Sequence, residues 1–108
     1  MLILKNVIAI GLVGKQNSKS KVVRLGSGFD LNNAVDKVVY GSTASVTIKT
    51  LQNKPDTITA GEIVIVWIGN VSENSSYGFQ LLFHANGIGT NVYLRSKTLD
   101  NWSTWMKL

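Results

Sequence analysis

Period-two alternation of apolar and polar residues dominates this chain and restricts it to a β-rich fold. The run Glu62–Ile68 is apolar and rich in β-branched residues, which predicts a central strand covered on both faces, with Trp67 in the core. Three further stretches with strand character follow, separated by Gly-, Asn- or Asp-containing turns: Tyr77–His84, Asn91–Ser96 and Trp102–Lys107. From Glu62 onward the sequence therefore predicts a four-stranded antiparallel meander.

The N-terminal part of the chain predicts a β-hairpin that forms a separate arm. Apolar residues at positions 2, 4, 8, 10 and 12 alternate with their neighbours and predict a first strand. The composition of residues 16–20 predicts a turn, and Lys21–Leu25 predicts the returning strand. We therefore divide the chain into an arm over residues 1–25 and a knob-like β domain over residues 26–108.

Between the arm and the meander the sequence predicts one short helix. Asp30 occupies a helix-capping position, and the apolar residues after it are spaced by three and four, which predicts a helix or helical turn over Leu31–Lys37. Lys37–Tyr40 can instead enter a strand. Clean alternation predicts a further strand over Ser45–Leu51. The expected fold is a mainly β domain, a small antiparallel sheet or sandwich with one short helix.

Positive charge is concentrated in the arm. The formal net charge is +5, and the arm contributes five basic residues and no acidic one: Lys5, Lys15, Lys19, Lys21 and Arg24. A basic arm can bind nucleic acid through counterion release, but no aromatic side chain alternates with these lysines to stack on bases. We therefore favour a solvated arm whose lysines protect an edge strand and which serves docking or assembly. Nucleic-acid binding is the alternative.

The residues that catalytic and metal sites require are absent or scattered. The chain has no cysteine and one histidine, His84, so a nucleophile–histidine pair would have to use that residue. We expect His84 to be exposed or to cap a turn at the end of its strand. The six acidic residues are widely separated and predict neither a carboxylate pair nor a metal site. The sequence predicts a protein that is not an enzyme and that needs no cofactor or metal.

The most informative motif lies at the end of the meander. Tyr93-Leu94-Arg95 is followed, after a short turn, by Trp102-Ser103-Thr104-Trp105-Met106-Lys107-Leu108. This arrangement resembles the pyocin-knob type module near the C-termini of phage tail-fibre and tailocin fibre proteins. That family typically ends in an aromatic-x-Arg strand, a Gly/Asn/Asp turn and Trp-Ser-x-Trp-x-Lys-Leu/Ile. The resemblance covers Gly61–Leu108 well and extends loosely back to Phe29, and residues 1–25 have no counterpart in it.

The resemblance implies a virion protein at or near the tip of a phage fibre, made in the host cytoplasm and assembled as a homotrimer. Its expected partners are a bacterial cell-surface glycan and other structural proteins of the virion. Membrane insertion is not expected, because the apolar stretch Val7–Gly14 is too short to span a bilayer.

Aromatic and cationic side chains of the motif suit a sugar-binding surface. Tyr93 and Arg95 share one face of their strand, and Arg95 can stack on an indole of the paired strand. Trp102 and Trp105 lie three apart, which predicts opposite faces on a continuous strand. The predicted ligand-binding surface consists of these residues and two from the neighbouring turn: Tyr93, Arg95, Trp102, Trp105, His84 and Asn86. The alternative is a structural role, in which the two tryptophans complete the packing of the module or pack against a neighbouring subunit.

Overall fold

The computed structural model of the protein describes residues 21–71, 75–87 and 89–108. The described residues form a single seven-stranded sheet. Its strands are β1 (Val22–Arg24), β2 (Val39–Ser42), β3 (Glu62–Gly69), β4 (Tyr77–Asn86), β5 (Gly89–Thr98), β6 (Asn101–Trp102) and β7 (Met106–Lys107). The order is β1-β2-β3-β4-β5-β6, with β7 also paired to β5. The mainly β prediction is confirmed, and the sheet is mixed because β1 and β2 are parallel.

The predicted meander is present as β3, β4, β5 and β6, which pair in sequence and antiparallel. The prediction of one continuous last strand over Trp102–Lys107 is wrong, because it is interrupted between β6 and β7. Ser103 explains the interruption. Its backbone N–H donates to the carbonyl of Ser96, while its hydroxyl accepts the N–H of Ser96. The Ser103 hydroxyl thus accepts a hydrogen bond that a backbone carbonyl would accept in a regular β-ladder.

The main core lies on one face of the sheet. Ile65 and Leu82 are cross-strand partners, and both are fully buried. Residues of the segment between β1 and β3 cover this face and complete the core: Leu31, Ile48, Leu51 and Ile58. A smaller cluster on the other face contains Val39, Val66 and Leu81. The described residues therefore form one sheet with a covering layer of loops and short helices over one face.

The predicted helix after Asp30 is real but shorter than Leu31–Lys37. A 3-10 helix spans Leu31–Asn33, and the carboxylate of Asp30 accepts the N–H of Asn32, so the predicted cap is confirmed. The helix ends because Ala34 has φ −85° and ψ 64°. Beyond it, the Asp36 side chain accepts the N–H of Val38, which leads into β2. The strand alternative for Lys37–Tyr40 is therefore confirmed in its second half.

The prediction of a strand over Ser45–Leu51 is wrong. Ser45–Ile48 is a single-turn α-helix, α1, in which the N–H of Ile48 donates to the carbonyl of Ala44. Ile48 is fully buried, whereas Val46 is 68% exposed. Ile48 and Leu51 are three residues apart, a spacing that also fits a helix, and both are buried against the sheet. No helix within the described residues is long and apolar enough to cross a membrane.

The N-terminal arm is described only from Lys21 onward. Val22–Arg24 is a strand as predicted, and it pairs with β2 of the main sheet. The predicted first strand of the hairpin lies outside the described residues, as do Lys5, Lys15 and Lys19 of the basic set. Lys21 and Arg24 are exposed. The end of the predicted arm is thus a strand of the domain's own sheet.

Candidate ligand-binding site

Three side chains lie in a row across the centre of the sheet. Trp67 on β3 is the cross-strand partner of Gln80 on β4, and Gln80 is the partner of Arg95 on β5. Cross-strand partners share a face of the sheet, so all three side chains lie on the face that carries the main core. Trp67 is 8% exposed, which confirms its predicted place in the core.

Arg95 lies at the centre of an aromatic cluster. Its guanidinium carbon is 3.8 Å from the ring centroid of Trp102 and 4.5 Å from that of Trp105, so the predicted stacking on an indole is confirmed. We call Trp67, Gln80, Arg95, Trp102 and Trp105 the Arg95 cluster. Arg95 is 5% exposed, and burial lowers its pKa to about 10, an effect that the negative charge of Asp30 opposes. A ligand at the surface therefore cannot reach this guanidinium directly.

Gln80 is the polar anchor of the cluster, and the sequence reasoning missed it. Its side chain is fully buried. The amide nitrogen donates to the carbonyls of Leu31 and Ala34, at 2.7 Å and 3.1 Å, and the amide oxygen accepts the Nε–H of Arg95 at 2.9 Å. The available signal was one glutamine within the apolar run Phe79–Phe83, because a polar residue buried in a strand needs partners. Gln80 joins the sheet to the 3-10 helix.

Trp102 and Trp105 do not point to opposite faces, so that prediction is wrong. Both indoles contact the same guanidinium, because the strand is interrupted at Ser103 and its alternation is lost. Trp102 also meets Trp67 edge to face, with centroids 6.1 Å apart. The indole N–H of Trp105 donates to the carbonyl of Asn53 at 2.9 Å. Both indoles are thus held in place by the domain itself.

Beside the cluster lies a shallow open cleft, which we call the Trp105 cleft. Its volume is about 370 Å³. The lining comes from the loop after α1, from β5 and from the C-terminal segment: Lys54, Pro55, Asp56, Thr57, Tyr93, Thr104, Trp105 and Lys107. Tyr93 is 7% exposed and Trp105 is partly buried, so they present limited ring surface to the cleft. The remaining lining is mostly polar. Of the predicted residues, Tyr93 and Trp105 therefore share one accessible site.

His84 and Asn86 lie apart from this site. His84 is four positions along β4 from Gln80, or ~13 Å at the usual rise of ~3.3 Å per residue. It is 9% exposed, and its Nε2 is 2.9 Å from the carbonyl oxygen of Ala60, so the expectation of an exposed or turn-capping histidine is wrong. Asn86 is exposed at the end of β4 and lines a different depression, with Gly61 and Glu62.

The six predicted residues thus lie in three environments. Arg95, Trp102 and Trp105 belong to the Arg95 cluster, Tyr93 and Trp105 line the Trp105 cleft, and His84 and Asn86 lie at the far end of β4. Sequence reasoning missed the polar lining of the cleft, because Lys54–Thr57 is far from the tryptophan motif along the chain. Comparison of the chain with protein-family models, with curated proteins and with solved structures found no match.

Proposed function

We propose that this protein is a non-enzymatic component of a phage fibre or appendage and that the Trp105 cleft binds a glycan of the bacterial surface. The resemblance of Tyr93–Leu108 to pyocin-knob modules supports the virion assignment. The single observation that favours recognition is the composition of the cleft, whose lining combines a tryptophan and a tyrosine with threonine, aspartate and lysine residues.

The geometry of the cleft suits a saccharide for two reasons. Sugar rings have apolar C–H faces that pack on aromatic rings, and hydroxyl edges that need donors and acceptors. Thr57 and Thr104 are exposed beside Trp105 and offer both. In addition, Trp105 is held by its contact with Arg95 and by its hydrogen bond to Asn53. Binding a ligand on this ring therefore costs little side-chain conformational entropy.

Glycan binding in this cleft predicts a selective effect of Thr57→Ala. Removing one hydroxyl that bonds a sugar is expected to weaken binding about five- to tenfold, as the loss of one hydrogen bond implies. The measurement is titration of the glycan that the wild-type chain selects from an array of bacterial polysaccharides. Thr59→Ala is the matched control, since Thr59 is exposed two residues away and does not line the cleft. Equal effects of the two changes would count against this site.

A second candidate function is structural: the protein caps, trimerises or docks a fibre, or decorates a capsid. One observation favours it. Ile68 and Phe79 are cross-strand partners on the face opposite the main core, and they are 46% and 45% exposed. Tyr77, two positions before Phe79, adds a further partly exposed ring to the same end of the sheet. Apolar groups clustered at a surface are typical of contacts between proteins.

If copies of the chain assemble through this patch, Phe79→Thr is expected to shift the protein from a homotrimer to monomers, because assembly then loses a buried aromatic ring. Light scattering after size-exclusion chromatography measures the mass. Val46→Thr is the control, since Val46 is 68% exposed on α1, which packs over the other face of the sheet. A wild-type chain that is monomeric at high concentration would remove the trimer from this proposal, and an unchanged trimer in Phe79→Thr would exclude this patch.

A further inference from the structure

We propose that the glycan bound in the Trp105 cleft is acidic and bears carboxylate or phosphate groups. This inference rests on the proposed function and names the substrate class of the same site. Two lysines, Lys54 and Lys107, line the cleft with one aspartate, Asp56. The cleft therefore has an excess of positive charge at the place where a ligand would lie.

Both lysines are available to a ligand. Lys107 is exposed on β7 and is the cross-strand partner of Tyr93 on β5, so the two side chains leave the sheet on the same face. Lys54 is partly exposed in the loop that precedes the buried Pro55. Within the described part of the chain, neither ammonium has a hydrogen bond or an ion pair. A cation without a partner in its own protein is free to pair with an anion on a ligand.

The charges of Arg95 and Asp30 are not part of the lining of the cleft. Arg95 is buried and donates its Nε–H to Gln80, and its Nη2 has no hydrogen-bond partner within the described residues. The Asp30 carboxylate accepts from the backbone of Asn32 and from the side-chain amide of Asn53, at 2.9 Å and 2.8 Å. The Asp30 carboxylate is therefore already hydrogen-bonded within the protein. Lys54 and Lys107 are therefore the residues that would select a negatively charged ligand.

The charge of the whole chain acts in the same direction. A formal net charge of +5 attracts polyanions over a longer range than the cleft itself. That attraction alone does not distinguish the cleft from the basic arm, because both respond to salt. Variants at the two cleft lysines separate the two sources of charge, since these lysines are not in the arm.

The test uses the full chain and a panel of purified capsular polysaccharides, each in its native form and after chemical reduction of its carboxyl groups. Wall teichoic acid provides phosphate instead of carboxylate. We expect binding to native acidic polymers or to teichoic acid, and a loss of at least about tenfold on carboxyl reduction or in Lys107→Gln, as removal of one charge-assisted bond implies. Lys54→Gln is expected to act in the same direction. Lys49→Gln is the control, because Lys49 is exposed and outside the cleft lining.

The outcomes separate this inference from the proposed function. Equal affinity for native and carboxyl-reduced polymers, without binding to teichoic acid, would overturn the acidic class and leave glycan recognition intact. Acidic binding that is unchanged in the Lys54→Gln/Lys107→Gln double variant would overturn the inference for this cleft. A wild-type chain that binds no polymer of the panel would contradict both proposals. Double-stranded DNA binding as tight as that of the acidic polymers would show a general polyanion effect and overturn the inference.

Discussion

Replacing Gln80 with leucine is expected to lower the free energy of unfolding by about 3–5 kcal/mol, because it leaves a buried guanidinium and two buried carbonyls short of partners. Leucine has a similar volume, so the change removes hydrogen bonds rather than opening a large cavity. The groups affected are the Nε–H of Arg95 and the carbonyl oxygens of Leu31 and Ala34. Urea denaturation followed by tryptophan fluorescence measures the effect, since three tryptophans belong to the cluster.

Gln52→Ala is the matched control for this prediction. Gln52 is exposed, and its amide also donates to a backbone carbonyl, that of Gly28. The loss of this exposed bond is expected to cost no more than about 1 kcal/mol, since water replaces it. If Gln80→Leu cost no more than Gln52→Ala, Gln80 would not anchor the cluster.

Gly61→Ala is expected to lower the free energy of unfolding by about 3–5 kcal/mol, because backbone strain and a collision with a backbone atom act together. Gly61 precedes β3 and has φ +94°, a conformation that L-residues rarely adopt. A β-carbon there would press against the carbonyl oxygen of Ala85 and lie 3.0 Å from the β-carbon of Asn86. Because these atoms belong to β4, the neighbouring strand would have to move.

The matched control is Gly87→Ala. Gly87 also has a positive φ, of +66°, but a β-carbon at this position meets nothing within 4 Å. Only the conformational cost applies, and we expect about 1 kcal/mol. Thermal denaturation of both variants by circular dichroism measures the difference. Equal destabilisation by the two changes would show that packing against β4 contributes little at Gly61.

The long strands could be predicted because their signal is local. Glu62–Ile68 is rich in β-branched residues, Tyr77–His84 is rich in aromatic and aliphatic residues, and turn residues separate the two. Alternation alone is a weaker signal. The sequence alternates over Ser45–Leu51, yet Ser45–Ile48 is a helix, because burial of Ile48 under the sheet decides its conformation. Tertiary packing can therefore override a local pattern.

The candidate site could be predicted only in part. The contact of Arg95 with an indole followed from shared strand faces, which the sequence determines. The orientation of Trp102 and Trp105 did not, because one serine hydroxyl, that of Ser103, replaces a ladder bond. The polar lining of the cleft comes from a loop about fifty residues earlier in the chain. Its position depends on the bond from Trp105 to Asn53, and no local pattern encodes such a contact.

We expect the long-range hydrogen bonds of Gln80 and Trp105 to influence the folding kinetics as well. Hairpins β3–β4 and β4–β5 join residues that are close in sequence, and such contacts form early. The bonds from Gln80 to Leu31 and Ala34 close loops of 49 and 46 residues, and the bond from Trp105 to Asn53 closes one of 52. We infer that these long loops close after the rate-limiting barrier. Gln80→Leu should then accelerate unfolding while leaving refolding nearly unchanged, as stopped-flow fluorescence can measure. The Arg95 cluster would then set the unfolding rate of the protein and have little influence on its folding rate.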